Sequence, residues 1–403
     1  MMAEKKKKPI KWIRPQHNVV IPLLRGLLRP VILWMYGLKV EKFQEEKGRQ
    51  YLVLANHQTG FDQFYPSLAF KQHLYYVASE DIFSMGWVSK AIRWIAAPIP
   101  IKKQVTDIRA VKTCLKVAKE GGSIAIFPEG NRTFSGVTGA MNPAIGGLAK
   151  KLGMPIAFFK IEGGYGVQPR WSDVRRKGRM KAYVASVLEP EVYKSWTNEQ
   201  LYRHICQELY QNEANADASY YHKKSAEYIE RVLYVCPFCG ITHFESQGDT
   251  FRCTSCGRAA AYLPTTEISG DFPFRYVLDW YNYQEDYINN LDTLAITEAP
   301  VIRDTCSLYQ VSLYSKKQPL AENVQLALYG DRIELTGSLT KTFRFAELDT
   351  ITILGKNKLD IYHEDMVYQI QSDKRFKALK YLNLYHRYKN LTTEVQNGRF
   401  LGL

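Results

Sequence analysis

Between residues 50 and 190, short apolar runs alternate with longer stretches in which apolar positions recur three or four apart. The runs at 51–55, 74–78, 99–101, 123–127, 156–161 and 180–187 have strand length, and the stretches at 64–70, 87–94, 107–120 and 145–152 have helical spacing. Gly121-Gly122 and Gly153 supply helix stops. This alternation predicts an α/β domain, a mixed sheet flanked by helices.

From about residue 306 the period changes to two. Strands are predicted at 307–314, 324–329, 332–335, 341–345, 350–354, 358–362 and 366–371, with turns at Gly330-Asp331, Gly337, Gly355-Lys356-Asn357 and 363–365. A helix over 373–388 places Phe376, Leu379, Leu382 and Tyr385 on one face. The expectation is a small β-barrel domain over 304–390 with a C-terminal helix, ahead of a tail at 391–403. Between the halves, Thr197 to Gln200 fits a capping box and opens a helical connector over 193–234. A cysteine module occupies 235–263, and a helical linker with an aromatic helix occupies 264–303.

Charge sharpens this division. The chain carries a net +14. Residues 1–225 hold 35 Lys and Arg against 18 Asp and Glu, whereas residues 226–403 hold 19 against 22. The basic excess points to a polyanionic partner for the first part. Lys5 to Lys8 precede the apolar stretch 19–38, which is interrupted by Arg25, Arg29 and two prolines. That stretch lacks a signal-peptide cleavage pattern and reads as too interrupted to span a bilayer. Residues 1–40 are therefore expected to be a basic amphipathic segment lying on an anionic membrane surface, with no transmembrane span.

The candidate chemistry sits just behind two of the predicted strands. His57-Gln58-Thr59-Gly60-Phe61-Asp62 follows the run 51–55, and Phe127-Pro128-Glu129-Gly130-Asn131-Arg132 follows the run 123–126. In a regular helix, residues five apart diverge by about 140°. His57 and Asp62 can therefore cooperate only across a turn at a strand end, with Gly60 as pivot and Asp62 in the first turn of the next helix. An imidazole oriented by a carboxylate is a general base. No partner Ser or Cys nucleophile is evident nearby, so the attacking hydroxyl can belong to the substrate. Gly130 permits close approach of backbone to a ligand, and Arg132 offers a planar fork suited to phosphate. Lys102 and Lys103 add positive charge behind a third strand.

Asn56-His57 with Asp62, followed about 70 residues later by residues 127–132, resembles the first and third blocks of the glycerolipid acyltransferases, which include the 1-acylglycerol-3-phosphate acyltransferases. Gly153-Met154-Pro155-Ile156 resembles the fourth block, and the likeness covers roughly residues 30–190. The resemblance implies an acyltransferase domain over 41–192. It assigns His57 as general base and Asp62 as its orienting partner. Glu129, Gly130 and Arg132, helped by Lys102 and Lys103, would hold the acceptor's glycerol phosphate. It implies a lysophospholipid acceptor of the lysophosphatidic acid kind, and acyl-CoA or an acyl carrier protein thioester as donor. Lys102-Lys103 stands where the second block usually ends in arginine, and Asn131 where the third usually has threonine, which leaves the acceptor open. The location implied is the cytoplasmic face of the cell membrane, peripheral or monotopic. Two alternatives stand beside this: the same chemistry on another lysolipid, or a non-catalytic lipid-binding scaffold.

The cysteine module reads Cys236-Pro237-Phe238-Cys239-Gly240 and Cys253-Thr254-Ser255-Cys256-Gly257. Two such pairs predict a zinc ribbon, with Zn²⁺ in a closed structural site of Cys236, Cys239, Cys253 and Cys256. A disulfide pair and an iron–sulfur site are the alternatives. Zinc ribbons also bind nucleic acid, but this module lies in the acidic part of the chain, with only Arg252 and Arg258 close by. The strand pattern of 304–390 resembles a pleckstrin-homology barrel in architecture, and Lys356 to Lys358 fall at a predicted turn that is either a lipid contact or a solvated tip.

Overall fold

The computed structural model describes residues 11–101, 107–215, 217–312, 316–364 and 366–393. Its first sheet has seven strands: β1 (Leu38–Val40), β2 (Leu52–Ala55), β3 (Leu74–Ser79), β4 (Ile99–Ile101), β5 (Ser123–Ile126), β6 (Ile156–Glu162) and β7 (Met180–Leu188). They lie in the order β1-β7-β6-β2-β5-β3-β4. Only β6 and β7 pair antiparallel; the other neighbours are parallel. The α/β expectation holds, with β1 as a strand the sequence did not announce.

Helices cover both faces: α1 (His17–Tyr36), α2 (Phe64–Ala69), α3 (Trp87–Ile95), α4 (Ile108–Lys119), α5 (Ala144–Leu152), α6 (Gly164–Val167), α7 (Pro190–Tyr193) and α8 (Asn198–Leu209). Val53 and Ala55 face a core shared with Tyr36 and Tyr65. Leu52 and Leu54 face the opposite core, with Val117, Ala149 and Leu201. A strand covered on both sides has no polar face, which is why β2 reads as an unbroken apolar run. Asp107 caps α4 by accepting from the amides of Arg109 and Ala110, and Thr197 and Gln200 form the expected capping box on α8.

Of the helical connector expected over 193–234, α8 supplies residues 198–209 and the rest is not helical. Beyond α8 the chain is irregular apart from one short 3₁₀ turn at Ile229–Arg231. Its apolar residues are buried by tertiary packing: Tyr220, Ala226, Val232 and Leu233 are all core.

α1 also differs from expectation, because it runs unbroken through Pro22 and Pro30. Its 20 residues are long and apolar enough to cross a membrane by length and composition, and little of it is buried.

In the second half, β8 (Val235–Cys236) pairs with β9 (Gly240–Ile241), and β10 (Phe244–Gln247), β11 (Thr250–Cys253), β12 (Ala259–Tyr262) and β13 (Ile268–Gly270) make a four-stranded antiparallel sheet. α9 (Val277–Asn289) follows. Then come β14 (Ile302–Val311), β15 (Gln318–Leu328), β16 (Arg332–Thr336), β17 (Lys341–Arg344), β18 (Thr350–Leu354), β19 (Lys358–His363), β20 (Met366–Gln371) and α10 (Ala378–Thr392). These seven strands pair in the order β17-β16-β15-β14-β20-β19-β18. The expected small barrel is an open, half-barrel sheet: β17 and β18, consecutive in the chain, form its two edges. The buried side chains of the ribbon, α9, the half-barrel and α10 form one contiguous core, which also takes in Phe134 and Trp171 from the first half.

Candidate active site

β2 and β5 are parallel neighbours in register, Leu54 beside Ile126, so the segments leaving their carboxyl ends emerge side by side. After β2 the chain moves toward β3 on one side, and after β5 toward β6 on the other. Ligand sites in open α/β sheets form at such a divergence.

The main chain of His57 stitches the two loops together. Its N–H donates to Glu129 Oε1 at 2.8 Å, and its carbonyl accepts from the Thr133 amide at 3.3 Å. The His57 ring lies 4.6 Å from the Phe127 ring, centroid to centroid. His57 Nδ1 is 2.8 Å from Asp62 Oδ2, with the imidazole 21% exposed and the carboxylate fully buried. Asp62 also accepts from the amides of Gln58 and Thr59 and from the Thr59 hydroxyl. An acceptor-only carboxylate ringed by donors assigns the proton of this bond to Nδ1 and the basic lone pair to Nε2.

One expectation is corrected here. Asp62 lies in the turn before α2, not in its first turn, because the helix begins at Phe64. Gly60 lies in that turn, as expected, without a positive φ, and faces Arg132: a Cβ there would stand 3.9 Å from Nη1.

Glu129 reaches both ways, its Oε2 accepting from the Gly139 amide at 2.7 Å. Burial pushes this carboxyl up to about 8, against the pull of the two amides. Both of its oxygens are thus occupied in holding loops. Gly130 adopts φ +65°, a left-handed conformation that explains the glycine, and a Cβ there would meet open space. Arg132 is half-buried, and burial lowers its pKa while Asp62 and Tyr36 raise it. Among the described residues its guanidinium makes no hydrogen bond, so its donors remain available to an anion. Lys102 and Lys103 lie outside the described residues.

Several contributors carried no local sequence signal. Tyr36, at the end of α1, packs against Phe61 and Tyr65, donates to Gln168 at 3.1 Å and lies under Arg175, 5.4 Å from the ring. Behind His57, Asn56 Nδ2 donates to Ile161 O and Gln211 Oε1, and Gln211 Nε2 donates to Glu213. Glu213 accepts from the amides of Gly163 and Tyr165, and burial pushes it up to about 7. The signal for Gln211 and Glu213, two polar residues in an irregular segment, exists only in three dimensions.

The four cysteines of the module come together, with all four Sγ atoms within 4.8 Å of one another and Cys236 Sγ 3.9 Å from Cys256 Sγ. Zinc–thiolate bonds of about 2.3 Å in a tetrahedron require sulfurs roughly 3.8 Å apart, so the cage fits one ion of that size. All seven cysteines are free thiols, so the disulfide alternative is not seen. Gly240 and Gly257, after each pair, adopt φ +75° and +74°, giving the expected turns. Lys356, at the β18–β19 turn, bonds Asp173 Oδ1 at 2.7 Å and is not a solvated tip.

Residues 38–160 match the sequence profile of the family described as Acyltransferase. Over 124 residues the chain is 25% identical to the chloroplastic 1-acyl-sn-glycerol-3-phosphate acyltransferase BAT2 of Brassica napus, covering 30% of this chain and 36% of that protein. Over 118 residues it is 28% identical to the 1-acyl-sn-glycerol-3-phosphate acyltransferase of Bacillus subtilis, covering 28% of this chain and 54% of that one. The chain thus spans about a third to a half of the length of these relatives. Among solved structures, the acyltransferase PlsC of Thermotoga maritima is similar at a TM-score of 0.41 and 20% identity, over 49% of this chain and 80% of that one. The motif blocks that converge around His57 and Glu129 lie inside the segment that matches the Acyltransferase family, so the likeness to the 1-acyl-sn-glycerol-3-phosphate acyltransferases takes in the candidate site itself.

Proposed function

We propose that this chain transfers a fatty acyl group from an acyl thioester to the free hydroxyl of a lysophosphatidic-acid-like acceptor. The observation that carries this reading is the buried Asp62 carboxylate on His57 Nδ1, beside Arg132, whose donors have no partner among the described residues. His57 Nε2 takes the acceptor hydroxyl's proton as its oxygen attacks the thioester carbonyl. The tetrahedral intermediate collapses, the carbon–sulfur bond breaks, and the departing thiolate recovers the proton from the imidazolium. Asp62 holds the tautomer and stabilises that cation. Arg132 holds the acceptor's phosphate, with Arg175 beside it over Tyr36. Glu129 acts by holding His57's backbone.

The donor is a coenzyme A or acyl carrier protein thioester. Cys236, Cys239, Cys253 and Cys256 would hold Zn²⁺, which would neutralise their thiolates and tie the ribbon together without entering the acyl transfer. α1 lies in the interface of an anionic membrane. It exposes Leu23, Leu27 and Val31, with Trp34 85% exposed. On its other side His17, Ile32 and Tyr36 are buried, and Arg25 donates to the carbonyls of Lys71 and Gln72. A helix docked lengthwise on a domain lies along a bilayer surface more readily than across it.

The test is a turnover assay pairing several lyso-acceptors with coenzyme A and carrier-protein thioesters, run on the wild type and on His57→Ala. Product from lysophosphatidate in the wild type alone supports the reading. Undiminished product from the variant would refute the mechanism.

A further inference from the structure

Arg170 is 4% exposed and joins two distant parts of the chain. Its Nη1 donates to the Arg132 carbonyl at 2.9 Å, and Nη2 reaches Asn131 Oδ1 at 3.4 Å. The same Nη2 donates to the Ile353 carbonyl at 2.9 Å, and Nε to the Gly355 carbonyl at 2.7 Å. The guanidinium carbon lies 4.1 Å from the Phe134 ring centre. Among the described residues no carboxylate pairs with it. Burial, with repulsion from Arg132, brings its pKa down to about 9. A buried cation held only by carbonyls and a ring face is costly to keep, so its fork geometry is the feature the site uses.

Ile353 and Gly355 belong to the β18–β19 hairpin, and Asn131 and Arg132 to the loop after β5. A second tie runs alongside. Asp173 accepts from Lys356 at 2.7 Å and from the buried Arg231 at 2.8 Å. Burial alone would raise the Asp173 carboxyl, but Arg231 and Lys356 bring it down to about 2. Arg170, Asp173, Arg231 and Lys356 all lie beyond the segment that matches the acyltransferase family.

We propose that the β18–β19 hairpin is a working part of the acceptor site. Through Arg170 it fixes the main chain at Asn131 and Arg132, and so the place from which Arg132 meets the acceptor's phosphate. Arg170 is a positioning residue, and Lys356 with Asp173 secures the hairpin that holds it. The half-barrel then governs affinity for the acceptor while leaving the donor's untouched. This inference rests on the proposed role of Arg132.

The test uses the full chain and the variants Arg170→Lys and Lys356→Met, with lysophosphatidate and an acyl-CoA as probes. Arg170→Lys raises the acceptor KM by about tenfold, the scale of one charge-assisted hydrogen bond, with donor KM unchanged. Lys356→Met raises it less, in the same direction. Amide hydrogen exchange quickens together at 127–136 and 350–358 in both variants. A fall in kcat with both KM values fixed, or faster exchange at 350–358 with 127–136 unmoved, overturns the proposal. If Arg170→Lys does not fold, Lys356→Met decides by the same two readouts. A wild type inert toward lysophosphatidate would sink the proposed function instead, and the exchange comparison would still decide whether hairpin and loop move as one.

Discussion

Glu129 holds the backbone amide of His57 with one carboxylate oxygen and that of Gly139, ten residues further on, with the other. Replacing it with Gln puts an NH₂ group opposite one of those amides, where two donors face each other. An unmet buried amide costs roughly 1–3 kcal/mol. Glu129→Gln should therefore lower thermal stability and reduce kcat more than it alters either KM, as steady-state kinetics would show.

Asp62→Asn should be as damaging as loss of His57 itself. An amide cannot accept every donor that surrounds this position, and it no longer favours the Nδ1–H tautomer. A kcat loss of about 10³-fold or more is expected from the comparable triad carboxylate. The double variant should lose little beyond either single one; additive losses would show that the two do not act as a unit.

Glu213 gives a pH signature. Its folded carboxyl is pushed up to about 7, from 4.5 in the unfolded chain. With a raised folded pKa, its favourable contribution is complete below 4.5 and is lost as pH rises through 7. The stability of the wild type relative to Glu213→Gln should therefore decline between about pH 5 and about pH 8, by at most about 3 kcal/mol. Denaturant titrations of both proteins at the two pH values measure it, and a rising difference would contradict the assignment.

Metal analysis addresses the cysteine cage. Protein purified under reducing conditions should carry close to one zinc per chain. Stripping it with a strong chelator should unfold the ribbon and lower the stability of the half-barrel, because both belong to one core. Full retention of stability after complete metal loss would exclude a structural role.

Vesicle binding addresses α1. Burying a large apolar side chain is worth roughly 1.5–3 kcal/mol. Trp34→Ser should weaken binding to anionic vesicles by about tenfold or more while leaving the fold intact, since Trp34 has almost no packing partners to lose. Unchanged sedimentation with vesicles would rule out insertion of this face.

Much of the first sheet was legible because parallel strands covered on both faces must be apolar throughout, as Leu52 to Ala55 are. The approach of His57 and Asp62 to residues 129–132 followed from two motifs leaving two strand ends. The connector beyond α8 was misread because Tyr220, Ala226 and Val232 are buried by tertiary contact without any helical period. Arg170 gave no signal at all. Two of its partners are main-chain carbonyls 183 and 185 residues away, and a carbonyl has no residue type to recognise. The barrel pattern gave the strand count correctly but not the openness, because alternation records which face is buried and says nothing about whether two edges meet.

α1 carries its exposed apolar residues and Tyr36 on a single rigid rod of 20 residues. Tyr36 fills the space among Phe61, Tyr65 and Arg175. Any motion that lifts the rod from the domain withdraws Tyr36 from these three residues at the same moment. Attachment at one end of α1 and order at the other are thus mechanically inseparable: the domain cannot loosen its hold on its outermost helix and keep a complete site.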